Sequence, residues 1–364
     1  MAMKKLAIKT ISFLLIFCVL FLTVQEVIRY NVEYRENMKY RYEEFLKEPE
    51  NSLDVLFIGS SPVYAGIAPT VIWKDAGITS VNLATSDATA MSGYYQLRFA
   101  LQSQKPALVV IDFNSICRDR LADESDSMEA SYRKNVAALP DRKLKNEMIL
   151  QIEKDNVNQS RWMYYFPLLR DHSRWSELEL KDLISLVSLF TDRFNYYKEY
   201  TKGAFYEVEI SEDLIECNEE LFEADIKPTP VSEYSWGYYK KIIDLCAENG
   251  IALAVVSLPK GNTEELIGEY KALEKVCSEN NIRYYNLSSP ESWDALSLDG
   301  ATDFYNTGHV NANGATKVSK ALAKILQEDF DLPDHRGDSA YSAWDDDWDA
   351  FYADYKEVLA PFGY

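Results

Sequence analysis

The sequence predicts an α/β protein: a three-layer sandwich with a central parallel sheet. Two observations predict it. Five short apolar runs are bounded by turn residues, at Val55–Ile58, Ser80–Ala84, Ala107–Phe113, Ile251–Pro259 and Ile282–Leu287. Segments with helical spacing separate most of them. Apolar strands that alternate with helices belong to a sheet covered on both faces. Such a sheet carries its ligand site in loops at the carboxyl ends of its strands.

Each element has a local reason. The run Val55–Ile58 stops at Gly59, Ser60, Ser61 and Pro62. Pro69 opens the short helical stretch "PTVIWKDA" and Gly77 closes it, the expected asymmetry of helix ends. A helix over about Met91–Gln104 is closed by Lys105-Pro106, and "YYKKIIDLCAENG" is amphipathic with a glycine stop. A further helix is expected over Thr263–Glu279, and Asn313-Gly314 introduces a last core helix, "ATKVSKALAKILQ".

Between about residues 118 and 232 the alternation disappears, and a mostly helical, aromatic-rich insertion between the third and fourth strands is expected. In the tail, residues 331–364, Trp344, Trp348, Phe351 and Tyr355 fall on one helix face, with acidic residues largely on the others. That stripe reads as docking on its own domain.

The 364 residues are 47% apolar, enough for a sizeable core, and 14 Gly with 12 Pro leave little room for long disordered tracts. The net charge of −20 argues against nucleic acid as a partner, since phosphate binding needs clustered Lys and Arg. It also argues weakly against very anionic substrates, unless a local basic patch overrides it. The five cysteines include no CxxC pair, so neither a zinc site nor a dense disulfide framework is indicated, and no cofactor or metal is expected.

At the N-terminus, Lys4, Lys5 and Lys9 accompany an apolar run that ends at Val24. Counted from Leu6 it reaches about 28 Å at ~1.5 Å per residue, near the hydrocarbon thickness. No small-residue cleavage site follows, so residues 1–28 read as an uncleaved signal anchor, with a cleaved signal peptide as the rival. The lysines put the N-terminus in the cytoplasm and the main domain, residues 53–330, outside the membrane. Residues 29–52, charged and aromatic, read as a juxtamembrane stalk helix ended by Pro49.

A serine needs a base to become a nucleophile. The chain has three histidines, and His309 alone lies in the loop between the fifth strand and the last core helix. A parallel sheet brings that loop to the edge where Ser60 and Ser61 lie. His172 falls in the insertion and reads as structural; His335 falls in a polar loop of the tail. Taken alone, Ser61-Pro62 also reads as a helix cap followed by proline.

"FIGSS" after the first strand and "DFYNTGHVNANGA" before the last helix resemble the SGNH (GDSL-like) hydrolase superfamily. The order of motifs over residues 54–328 resembles membrane-anchored relatives of the D-alanyl transfer protein, which work beside membrane-bound O-acyltransferases. The resemblance implies a flavodoxin-like sheet, Ser61 as nucleophile and His309 as catalytic base. It implies a bacterial cell-membrane location, an envelope glycan or teichoic-acid-like polyol polymer as substrate, and a membrane-bound O-acyltransferase as partner. The superfamily's aspartate three residues before the histidine is Asn306 here. Either Asp303 or Asn306 is then left to orient the imidazole. For the oxyanion, the resemblance points to the backbone N–H groups near Ser61 and Asp87, and to the Asn114 side chain. The motifs do not choose between an esterase and an O-acyltransferase. A non-catalytic scaffold with the same fold is the second reading, motivated by Asn306 and by a carboxylate at Asp87.

Overall fold

The computed structural model describes residues 2–28, 38–117, 126–156, 158–178 and 198–364. The chain forms two compact units, one from Met1–Asn37 with Asn146–Tyr196, the other from Met38–Lys145 with Tyr197–Tyr364.

The larger unit holds the predicted sheet. β1 (Val55–Ile58), β2 (Ser80–Asn82), β3 (Leu108–Ile111), β4 (Ala252–Ser257) and β5 (Arg283–Asn286) run parallel in the order β2-β1-β3-β4-β5. This is the flavodoxin-like order, whose switch point lies between β1 and β3. Val55, Phe57, Leu108, Val110, Ala254 and Val256 face one way and join Val318, Leu322 and Leu326 of the helix Ala312–Asp329 in a single buried cluster. On the opposite face, the helices Ala90–Ala100 and Glu233–Glu248 pack together, with Ile111 and Ile242 near Gly93. The central strands β1 and β3 are apolar and buried on both faces because both faces are covered, while the edge strand β5 is polar and partly exposed.

A second, antiparallel pair follows β5. β6 (Phe304–Asn306) and β7 (His309–Val310) form a tight hairpin that pairs Asn306 with His309. The tail helix Ser342–Leu359 docks on the helix Pro69–Ala76, with Trp344 against Trp73 at 5.5 Å and Phe351 fully buried.

One expectation is corrected. Of the stalk expected over residues 29–52, residues 29–37 lie outside the described residues. The described part is helical over Met38–Phe45, and Met38, Arg41, Tyr42 and Phe45 are buried in the sheet unit. Arg41 donates to the carbonyl of Gly203 at 2.8 Å and lies over the Tyr64 ring. The segment's apolar and aromatic side chains pack into this unit rather than forming a free stalk. The insertion is mostly helical among its described residues, as expected. Helices cover Asp126–Ala138, Arg142–Asp155, Arg161–Tyr165, Pro167–Asp171 and Glu219–Glu223, while residues 118–125 and 179–197 lie outside the described residues. Residues 202–216 run without helix as a strap. Its backbone exchanges hydrogen bonds with Asn82, Tyr64, Phe304 and Gly300.

All five cysteines are free, with Cys246 and Cys277 buried.

Candidate active site

The site is built on the turn that ends β1. Gly59 has φ +130°, a left-handed conformation that favours glycine, and a Cβ there would lie 1.8 Å from Asp112 Oδ1. Gln96 holds the turn from the helix side, accepting from Gly59 N–H at 2.9 Å and donating to the Gly59 carbonyl at 3.2 Å. Thr85, in the loop after β2, gives its N–H to the same carbonyl at 3.0 Å.

Ser60 and Ser61 then separate in role. Ser60 occupies the N-cap position of the helix Ser61–Gly66, but its side chain makes no cap hydrogen bond. Instead Ser60 donates to the Asp112 carboxylate through both its N–H and its Oγ. Asp112 stands just beyond the end of β3 and is almost fully buried. Its carboxyl is pushed up to about 6 by burial, against the lowering effect of the Ser60 hydrogen bonds and the Lys260 charge. Ser61, at the first helical position, turns its Oγ out of the helix. That oxygen lies 2.8 Å from His309 Nε2. The cap reading of Ser61 therefore gives way to a pairing with histidine.

His309 is oriented from the other side by Asn306, whose Oδ1 lies 2.9 Å from Nδ1. The same Oδ1 accepts the Gly308 backbone N–H at 2.9 Å. A backbone N–H only donates, so the amide atom facing it is the oxygen. His309 must then carry its proton on Nδ1, which leaves the Nε2 lone pair facing the Ser61 hydroxyl. The Tyr305 ring stacks on the imidazole at 5.3 Å. Burial, followed by the Lys260 charge, holds the imidazole down to about 4 against the opposing field of Asp87. His309 is thus a neutral base over the physiological range.

Asp303 is not brought to His309, which corrects one of the two expected orienters. Its buried carboxylate pairs with Lys317 at 2.6 Å and accepts the Asp299 N–H at 2.7 Å. It braces the loop against the last helix. Asp303 and Asn306 lie at opposite ends of β6, and the hairpin pairs only Asn306 with His309.

Asp87 has φ +51°, and its half-exposed carboxylate pairs with Lys134 at 2.6 Å. That pairing removes part of the charge that made it an awkward neighbour for an oxyanion. Among the described residues nothing accepts the N–H of Asp87 or of Ser61, so both are available as donors. Asn114 lines a cavity with Pro62, Asp112 and Lys260, beside the helix that begins with Ser61.

His172 lies in the smaller unit, and His335 contacts Asp54 and stacks on Tyr341. Among the described residues no cluster of His, Cys, Asp and Glu is arranged to hold a metal ion.

The sequence reading missed Asp112, Gln96 and Lys260. Asp112 had a visible signal, being the one charged residue in "ALVVIDF". Lys260 follows Pro259 beyond β4. The next residue, Gly261, gives its N–H to the Thr307 carbonyl at 3.0 Å, tying this loop to the hairpin turn that carries His309.

No family model matches the chain, and no curated protein matches it either. Among solved structures it is similar to a candidate acylhydrolase from Bacteroides fragilis, at 10% identity and a TM-score of 0.38, over 81% of this chain and 97% of the other. It is also similar to a GDSL-like lipase from Bacteroides thetaiotaomicron, at 13% identity and a TM-score of 0.37, over 81% of this chain and 98% of the other. A candidate lipolytic protein of the G-D-S-L family from Desulfitobacterium hafniense gives 10% identity and a TM-score of 0.35, over 75% of this chain and 98% of the other. The chain is thus similar, distantly, to solved structures of acylhydrolases and GDSL-type lipolytic proteins.

Proposed function

We propose that the chain is a serine acyl-transfer enzyme in which Ser61 attacks an ester or thioester carbonyl. The observation that carries this is the continuous relay from Ser61 Oγ through His309 to Asn306. His309 Nε2 takes the Ser61 proton as the Oγ–carbonyl bond forms and returns it to the leaving group as the tetrahedral intermediate collapses. The N–H groups of Ser61 and Asp87, with the Asn114 side chain, are the donors for the oxyanion. Water as second acceptor makes the chain an esterase; a sugar or polyol hydroxyl makes it an O-acyltransferase.

The N-terminal helix, long and apolar enough for a membrane anchor or a signal sequence, supports an extracytoplasmic setting on a bacterial cell membrane. With the sequence resemblance, it supports an envelope glycan or teichoic-acid-like polymer as substrate and a membrane-bound O-acyltransferase as partner.

One feature favours a second reading, a non-catalytic scaffold: Asn306 supplies no negative charge to an imidazole already held near 4. Labelling with a fluorophosphonate separates the two. Wild-type labelling that is lost in Ser61→Ala and in His309→Ala is expected. A wild type that takes no label, or a Ser61→Ala variant that labels equally, overturns the enzyme reading at this site.

A further inference from the structure

The smaller unit carries a feature that the acyl-transfer reading does not use. The helix Ala2–Ile28 exposes large apolar side chains from Met3 to Leu22, and its first strongly polar residue beyond that run is Gln25. Residues 160–176 are fastened to this end of the helix. The Phe166 ring lies 6.2 Å from Phe21. The Leu168 N–H donates to Gln25 Oε1 at 2.6 Å. Arg174 donates to the carbonyl of Ile28 at 2.6 Å. Phe21 to Ile28 spans roughly 10 Å along the axis. The fastened segment therefore straddles the level at which the apolar run gives way to polar sequence.

The same segment leaves four large side chains in the open. Trp162, Leu169 and Trp175 are each more than half exposed, and Tyr165 is 38% exposed. Trp162 stacks on Phe166, the residue that touches Phe21. Two tryptophans, a tyrosine and a leucine on three short turns form an apolar surface left open among the described residues. Tryptophan and tyrosine at the end of an apolar span suit the headgroup layer, where one end of each ring is apolar and the other wet.

We propose that residues 160–176 form an interfacial collar that lies in the lipid headgroup layer at the C-terminal end of the N-terminal helix, with Trp162, Tyr165, Leu169 and Trp175 turned into the membrane. The occupant is lipid because the surface is continuous with the helix's own apolar run. This rests on reading Ala2–Ile28 as a membrane span. The collar would add a second attachment and fix the angle at which the span leaves the bilayer.

The test uses the full chain reconstituted in phosphatidylcholine/phosphatidylglycerol vesicles with no other protein. The phosphatidylcholine is brominated either near the glycerol end of its acyl chains or near their tips. Bromine quenches tryptophan fluorescence on contact. The chain has seven tryptophans, and four of the other five, Trp73, Trp293, Trp344 and Trp348, are buried. Shallow bromines are expected to quench the wild type more strongly than deep ones, and a Trp162→Phe/Trp175→Phe variant to lose at least half of that shallow quenching. Carbonate extraction of the same vesicles reports the span. Protein that resists carbonate but whose shallow quenching is unchanged in the double variant overturns the collar and leaves the anchor standing. That is also the outcome if a partner protein, rather than lipid, covers these side chains. Release by carbonate overturns the span and the collar with it.

Discussion

Gly308 gives its backbone N–H to the side-chain oxygen of Asn306 at 2.9 Å, and this bond decides the tautomer of His309. In a serine protease, replacing the orienting aspartate by asparagine costs about 10⁴ in turnover, because the amide selects the wrong tautomer. Here the amide is locked oxygen-inward, so the geometry is right and only the charge is missing. Asn306→Asp keeps an oxygen that accepts both hydrogen bonds and adds that charge, which stabilises the imidazolium formed in the transition state. The expected outcome is a rise in ester-hydrolysis kcat of about tenfold or more, while Asn306→Ala loses about 10²–10⁴. Steady-state hydrolysis of an activated ester checks both; a slower Asn306→Asp enzyme counts against the orienting role.

The pH profile follows from the same imidazole. His309 acts as base only when neutral, and it is held down to about 4 by burial first and Lys260 second. The acid limb of kcat/KM is therefore expected near pH 4, well below the usual histidine value of about 6.5. Lys260→Met removes a positive neighbour and moves that limb upward. Asn306→Asp moves it upward further, by about 1–3 pH units, because a carboxylate in contact favours the charged ring. A pH–rate series on the three proteins reads the order directly.

The sheet was legible because each strand announces itself. Val55–Ile58 and Leu108–Ile111 are uninterrupted apolar runs, and parallel topology alone brings the His309 loop to the Ser61 edge. What was not legible depends on partners distant in sequence. The strap over residues 202–216 has no periodicity of its own; its path is set by the backbone groups of Tyr64 and Phe304. Asp112 and Ser60 meet only because β1 and β3 are neighbours in register, Ile58 beside Ile111. The choice between Asp303 and Asn306 turned on a two-residue hairpin turn, which spacing along the chain does not specify. The 38–45 helix was misread because its charges were visible and its buried aromatic face was not.

Asp112 gives a stability prediction with a definite sign. Its carboxyl is raised from 3.8 to about 6 by burial, so the folded state keeps a proton that the unfolded chain has released. Stability then falls as pH rises from about 4 to about 6, and the cost is constant above that. Asn at this position keeps an acceptor for the Ser60 N–H and offers a donor to its Oγ. Asp112→Asn is expected to gain up to about 3 kcal/mol above pH 6 and nothing below about pH 4. Denaturant unfolding at pH 4 and pH 8 checks it; equal gains at both would show that packing, not ionisation, sets the difference.

Gly59 has no tolerable substitute. A methyl group would meet Asp112 Oδ1 at 1.8 Å on a backbone with φ +130°. Gly59→Ala is expected to cost about 2–4 kcal/mol. Pairing it with Asp112→Gly should recover the clash but not the backbone strain, so the double variant is expected to regain only part of the loss. Thermal melts of the two single variants and the double form the cycle.

Phe205 joins the two halves of the site from behind. Its ring meets Tyr64, in the helix that begins with Ser61, at 6.2 Å, and Tyr305, which stacks on His309, at 6.1 Å. Its N–H donates to the Tyr64 carbonyl at 2.8 Å. Phe205 thus links the helix that begins with Ser61 to the ring that stacks on His309, and the Ser61–His309 geometry is expected to depend on it. Because an ångström of misplacement can cost about 10²-fold, Phe205→Ala is expected to lower kcat by about 10–100-fold. The Phe205 ring is only partly buried against the core, so the loss of stability should be modest, about 1–2 kcal/mol. Phe205→Leu, which keeps apolar bulk, is expected to recover most of the stability but little of kcat. Equal recovery of both would mean that the strap contributes packing alone and does not set the geometry of the relay.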